Sequence, residues 1–293
     1  MTTLISPRPT LSTPGASKPA TAVRGLLAKP GLLLAIVAVA FFALAAAAPN
    51  LLATYDPTAS SFLSALQPPS AQHWFGTDEA GRDLYSRVVY GTRESLLIGV
   101  GAAIVSILIA VVLGTIAALS GRFIAGGAGR LIEILFAFPT LLLALLLVAI
   151  LGPSAFTQVI AVGIGSAPGY ARIVRGQILS AKNSGYVEAA VALGHSRGRI
   201  LSRHILPNAI RPLIAIFALS VGQSIVWASS LAFLGLGVAP PSSEWGALLD
   251  AGRAYITQGP WLIVIPGIVI VVLALAATTL GKHIQNHLEK GDS

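Results

Sequence analysis

The sequence predicts an all-α integral membrane protein with six transmembrane helices, on three observations. Of 293 residues, 55% are hydrophobic and only 10% charged, and the mean hydropathy is +0.80, unlike a soluble domain. The apolar residues fall into six runs, each near the roughly 20 residues that cross a bilayer. Lysine and arginine, finally, crowd into alternate connections rather than scattering.

Residues 1–29 are rich in Ser, Thr, Pro and Ala and carry Arg8, Lys18, Arg24 and Lys29, the composition of a disordered cytoplasmic tail. Residues 30–49 form the first span, with an unbroken apolar run from Gly31 to Ala48 ended by Pro49. A cleaved signal peptide is the rival reading, but the long basic segment ahead of the run and the spans after it favour a retained helix. Residues 50–94 read as an external loop with an interfacial helix. Five spans then fill residues 95–282, at about Ser95–Leu119, Leu131–Leu151, Phe156–Val174, Pro212–Val238 and Trp261–Leu280. The run at Phe156–Val174 is the least hydrophobic, and Gly163, Gly165, Ser166, Pro168 and Gly169 suit it to the inside of the bundle, where small residues let backbones approach. Pro139 and Pro266 are expected to kink their helices. Residues 283–293 form a second cytoplasmic tail.

Charge orients these spans. With the N-terminus in the cytoplasm, only Arg82, Arg87, Arg93 and Arg253 among the 19 Lys and Arg lie outside, whereas Asp56, Asp78, Glu79, Asp83, Glu94, Glu244 and Asp250 all do. The positive-inside rule therefore selects N-in and C-in, with residues 178–210 in the cytoplasm. The net charge of +8 is thus a topological signal, and a nucleic-acid partner is not expected. The absence of cysteine excludes disulfides, thiolate metal sites and a cysteine nucleophile.

Residues 186–208 form a polar, basic island in this apolar chain. Glu188-Ala189-Ala190 is followed after three residues by Gly194, and thirteen positions later by Pro207. The pattern reads as helix, break, helix: alanines and Leu193 favour the first helix, Gly194 weakens it, and Pro207 interrupts the helix beyond it. Arg197, Arg199 and Arg203 charge the second half, while Ile200, Leu201 and Ile205 give it an apolar side. A solvated connector between two spans has the same look. The order Glu-Ala-Ala, three residues, Gly, nine residues, then a hydrophobic-Leu-Pro ending resembles the EAA loop of permease subunits of bacterial ABC importers. His204 stands where that pattern has an apolar residue, and His204-Ile205-Leu206-Pro207 is similar to the branch handling peptides, nickel chelates and related solutes. The resemblance implies a type I importer permease fold in which Glu188, Ala189, Ala190, Gly194, Arg197, Leu206 and Pro207 belong to a loop that docks on an ATPase subunit.

Two further stretches extend the resemblance. In residues 73–95, Thr77 or Asp78 would cap a helix, Leu84, Val88 and Val89 fall on one face with Arg87 outside it, and Trp74, Phe75, Tyr85 and Tyr90 suit a membrane interface. The run Gly76-Thr77-Asp78, Gly81-Arg82-Asp83, Ser86-Arg87, Gly91-Thr92-Arg93 resembles a signature of the C-type permease of dipeptide and oligopeptide importers. Nothing in the spacing itself explains that arrangement. Farther on, Phe233-Leu-Gly-Leu-Gly-Val-Ala-Pro-Pro241, Glu244-Trp245-Gly246 and Gly252-Arg-Ala-Tyr255 look like the same subfamily. There two prolines stop the fifth helix, and Trp245, Leu248, Leu249 and Ile256 recur at helical spacing, as in an amphipathic outer helix. The resemblance covers about residues 70–282 in collinear order.

Other polar residues have plainer readings. Glu133, inside an apolar run, is a functional candidate by position, but Arg130 three residues away offers an ion pair. His283 and His287 have a metal-compatible spacing but no third ligand converging on them. No Gly-x-x-x-x-Gly-Lys-Ser/Thr phosphate loop and no nucleophile-base-acid set occurs in the chain, so it is not expected to be an enzyme.

The resemblance implies no cofactor on this chain, with ATP and Mg bound by partner subunits. Its partners would be a second, non-identical permease, two ATP-binding domains, separate or fused, an extracytoplasmic substrate-binding protein and the lipid of a bacterial cytoplasmic membrane. The substrate would be a dipeptide or oligopeptide, with nickel or another metal chelate as the alternative. A secondary transporter driven by an ion gradient is the rival of another class, but it would want mid-membrane carboxylates or repeated broken helices, and the spans lack the former.

Overall fold

Helices account for nearly all of the regular structure in the computed structural model, which describes residues 30–290, with side chains to Asn286. Among the described residues the one β pairing is an isolated bridge between Thr77 and Asp83. The tail at residues 1–29 and the last three residues lie outside that range.

Helix α1, Pro30–Ala47, ends in a short turn at Pro49–Leu51. Helix α2 runs from Leu84 to Leu119, 36 residues, or about 54 Å at 1.5 Å per residue. The expected interfacial helix and the second span are therefore one continuous helix, started by Asp83, whose side chain accepts the Ser86 N–H.

The third span departs from expectation. Instead of one helix over residues 131–151, α3 (Arg122–Ala137) and α4 (Thr140–Leu151) diverge by 92°. Pro139 causes the break: it brings no N–H, and its ring forces Phe138 into an extended conformation with ψ 135°.

Helix α5 continues from Ala155 to Lys182, 28 residues, and is begun by Ser154, which accepts the Thr157 N–H. After α6 (Gly185–Ala192) and α7 (Arg197–Ile200), a widened turn at Leu201–Ile205 leads directly into α8 (Leu206–Leu231). Pro207 thus does not interrupt the helix. Its missing N–H is absorbed by the wide turn, where Leu206 N–H reaches back to Leu201 O. A second wide turn, Ala232–Leu236, follows α8 and is broken by Gly235, φ +82°. Helices α9 (Trp245–Arg253) and α10 (Trp261–Lys290) complete the chain. Ile256, expected to share a face with Trp245, lies past the end of α9.

Helices α1, α2, α10 and the continuous run Arg197–Leu236 are each long and apolar enough to cross a membrane, and the bent pair α3–α4 makes a fifth crossing if it is one span. Helix α5 has the length but not the apolarity, because small and polar residues fill so much of it. It packs along α2 more extensively than any other helix pair does. Gly163 shows why: a Cβ there would lie 2.6 Å from Val105, so the two helices meet backbone to side chain, as the small residues of this run imply.

Three clusters of buried residues make up the core of the bundle. One joins Ala117, Ile132 and Ile178 to Val187, Ala190, Ile200 and Ile205 at the loop end. A second surrounds Ile98, Val148 and Leu231. The third joins Phe42, Leu84 and Val88 to Trp245 and Leu262 at the opposite end. Leu34, Leu97, Leu108, Ile150 and Leu275 stay exposed, an apolar exterior suited to lipid or to another membrane subunit.

Candidate functional site

The loop between α5 and α8 is a helical hairpin tied to the bundle from below. Val187 and Ala190 of α6 and Ile200 and Ile205 beyond it are buried against Ile178, Ala209 and Leu213. The opposite surface carries Glu188, Ala189 and Arg197 in the open, together with apolar Tyr186, Val191 and Leu193, the last 75% exposed. Gly194 makes the corner. Its φ is +73°; Gly194 N–H donates to Val191 O at 2.9 Å, and His195 N–H to Ala190 O at 3.1 Å. This pair of bonds satisfies the last carbonyls of α6 and needs a left-handed residue at the glycine. Ser196 then begins α7 by accepting the Arg199 N–H.

The hairpin closes on itself through two histidines. His204 stacks on His195, with ring centroids 5.9 Å apart and planes 16° from parallel. That contact explains an imidazole where the resembling loops carry an apolar side chain. Leu206 is half-buried and Pro207 exposed on the first turn of α8.

At the other end, the polar signature residues form an interlocked cap. Asp78 Oδ1 accepts the N–H groups of Ala80 and Arg82, both at 2.9 Å, and its Oδ2 accepts Arg82 Nε and Arg87 Nη1, both at 2.6 Å. Arg82 also holds Glu79 at 2.8 Å. Arg87 continues across the fold, donating from Nη2 to Ser242 O at 2.8 Å. Arg87, which stands outside the apolar stripe of the helix, is nonetheless only 3% exposed. Burial pushes its guanidinium below the usual range, and Asp78 pushes it back up.

Thr77 and Asp83 serve differently from expectation. Thr77 Oγ1 donates to Ser64 O and accepts the Gln67 N–H, and Thr77 O accepts Trp261 Nε1. Asp83, not Thr77 or Asp78, caps α2, and its Oδ1 meets His73 Nδ1 at 2.9 Å. Gly76 and Gly81 both have positive φ, and a Cβ at Gly81 would sit 1.9 Å from Ser61 O, so neither position accepts a side chain.

Glu244 and Trp245 join α9 to α2. Glu244 accepts Gly246 N–H at 2.9 Å and Ala247 N–H at 2.8 Å, capping α9, and accepts Ser95 Oγ at 3.3 Å. Trp245 N–H reaches Ser95 Oγ at 3.0 Å and its indole N–H reaches Val88 O at 2.9 Å. Burial raises the Glu244 carboxyl above the usual carboxylate range, opposed by the two backbone N–H groups.

Sequence reasoning missed Arg87, His73, Ser95 and Ser242 as members of this cap. For Arg87 a signal existed: a cation in the first turn opposes the helix dipole, so it calls for a carboxylate such as Asp78. The Arg130–Glu133 pair forms at 3.5 Å on an exposed face. The side chain of His287 lies outside the described residues, among which no group of three or more metal-binding side chains occurs.

A bundle of apolar helices with an exposed helical hairpin packed against one end has the fold of the membrane subunits of ABC importers. The structure superposes on an amino acid ABC transporter with a TM-score of 0.54, at 20% identity over 70% of this chain and 93% of the other. The inward-facing methionine transporter MetNI gives 0.53, at 17% identity over 68% and 96%. The chain belongs to the family of binding-protein-dependent transport system inner membrane components, whose pattern matches residues 110–290. It is 41% identical over 224 residues to the dipeptide transport system permease protein DppC of Alkalihalophilus pseudofirmus, 76% of this chain and 74% of that one. A probable D,D-dipeptide permease of Escherichia coli is 40% identical over 81% of this chain and 80% of its own. A glutathione transport system permease of Pectobacterium atrosepticum is 40% identical over 75% and 73%.

Proposed function

We propose that this chain is one membrane subunit of an ATP-driven importer of dipeptides or short oligopeptides in a bacterial cytoplasmic membrane. The observation that carries the coupling role is the hairpin at residues 185–207, which is anchored by its inner face and bears exposed Tyr186, Val191 and Leu193 on a basic outer surface. Apolar side chains on an otherwise charged loop mark a protein contact. An ATPase subunit is the partner we assign to it, with ATP and Mg bound there and hydrolysis carried out there. A second, non-identical permease and an extracytoplasmic binding protein complete the assembly, and the cap residues Gly76–Asp83 and Glu244–Trp245 lie on the external side in this reading.

The peptide substrate rests on relatives near 40% identity that are named for dipeptides and glutathione. A nickel-chelate importer is not favoured by those names, and a gradient-driven secondary transporter is not favoured by the family. ATP binding and release would shift the bundle between outward-open and inward-open states separated by a few kcal/mol.

The test is reconstitution of the complete complex in proteoliposomes. Dipeptide uptake should require internal ATP, the binding protein outside and all membrane subunits. Uptake by this chain alone, driven by a proton gradient, would overturn the proposal.

A further inference from the structure

The bend between α3 and α4 lies midway along the apolar run 131–151, at mid-bilayer depth if that run spans. Irregular backbone at such depth is tolerated only against protein or a water-filled cavity. Beside the bend is a groove of ≈ 520 Å³, whose wall includes Phe136, Thr140, Ser166, Tyr170, Gln223 and Trp227. Its volume falls within the roughly 300–1,000 Å³ of small-ligand sites.

The polar groups here are neutral. Tyr170 Oη donates to Gln223 Oε1 at 3.0 Å, bridging α5 and α8. That bond engages the amide's acceptor, while its two N–H donors have no partner among the described residues. Ser166 Oγ is buried and unpartnered. Polar side chains within spans are costly and mark transport pathways. No Asp, Glu, Lys or Arg lines the groove, and Arg172, 4.6 Å over the Phe136 ring, is engaged by that ring.

We propose that this groove is a substrate contact of the translocation path, with Gln223 as its specificity-determining residue. The occupant is a peptide of about dipeptide size. The Gln223 amide N–H groups meet its backbone C=O groups, and the rings of Phe136, Tyr170 and Trp227 accept varied side chains. No charged side chain lines the wall, so the groove holds no carboxylate that would trap a peptide's ammonium or repel its carboxylate, and it passes peptides of either sign. This inference rests on the peptide-importer reading.

A charge placed at Gln223 tests it in the complete reconstituted complex, with the binding protein unchanged. Uptake of neutral, cationic and anionic dipeptides is measured for wild type, Gln223→Lys and Gln223→Glu. The ratio of cationic to anionic uptake should fall at least about tenfold in the Lys variant and rise similarly in the Glu variant, since each tenfold step needs only about 1.4 kcal/mol of charge repulsion or attraction. If both variants scale all three peptides by one common factor, the groove is not a substrate contact. Should either variant fail to assemble, benzoylphenylalanine in place of Phe136 decides: photocapture of a radiolabelled dipeptide during turnover supports the proposal, and no capture contradicts it. If the wild-type complex itself imports none of the three peptides, the peptide-importer reading fails first.

Discussion

Arg87 Nη1 and Asp78 Oδ2 lie 2.6 Å apart, both side chains almost wholly buried, and the same guanidinium donates to the carbonyl of Ser242. One ion pair therefore fastens the segment before α2 to α2 itself and to the loop before α9. Replacing Arg87 with Met should leave Asp78 with Arg82 as its one cationic partner, beside the Ala80 N–H, and free the Ser242 carbonyl. Breaking a buried pair costs about 3–5 kcal/mol, so the thermal midpoint of the purified protein should drop markedly. Asp78→Asn should cost at least as much, because the buried Arg87 guanidinium then has no carboxylate partner and an amide oxygen can replace only two of the four bonds. Equal, small losses in both variants would show that the cap is not a structural lock.

Much of the fold was legible in the sequence because hydrocarbon runs have few alternatives in a bilayer. The first run became a helix within a residue of its expected limits, while the second and sixth lie inside longer helices that begin at Leu84 and end at Lys290. The third did not become one helix, because Pro139 was read as a kink of one span, whereas the extended conformation it imposes on Phe138 separates two helices by 92°. The loop was legible through Gly194, whose positive φ the break required. The cap was not, since hydrogen bonds such as Arg87 to Ser242 join residues 155 apart in sequence, and no local period reports them.

The buried carboxyl of Glu244 predicts a pH dependence. Burial raises its folded-state pKa above the unfolded value, so the folded state holds the proton more tightly. Its contribution to stability is fully present below the unfolded pKa, near 4.3, and is lost as pH rises through the raised folded value. Glu244→Gln should flatten the stability curve across that window. At high pH, where the wild-type carboxylate accepts both N–H groups, it should also leave one N–H of α9 without its acceptor, costing about 1–3 kcal/mol. A melting profile in which wild type and variant keep the same slope with pH would contradict this.

The proposed orientation is open to single-cysteine labelling, because the chain has no cysteine of its own. Asn183 is exposed at the end of α5, and Leu63, 99% exposed, lies at the opposite end of the bundle. In intact cells an impermeant maleimide should label Leu63→Cys and spare Asn183→Cys until the membrane is opened. The reverse pattern would place the hairpin outside and end its assignment to an ATPase.

Gly194 is the residue through which the coupling role of the hairpin can be tested. Its left-handed backbone sets the angle of the hairpin, and nothing within 4 Å would clash with a side chain there. A β-branched residue in that conformation is strained by about 1–3 kcal/mol, confined to an exposed corner far from the helix contacts. The Gly194→Val subunit should therefore reach the membrane at normal abundance. The measurement is substrate-stimulated ATP hydrolysis by the complex assembled with that subunit. The stimulated component, or ATPase association itself, should be lost. Full stimulation and normal peptide uptake at normal abundance would mean that residues 185–207 are only a connector.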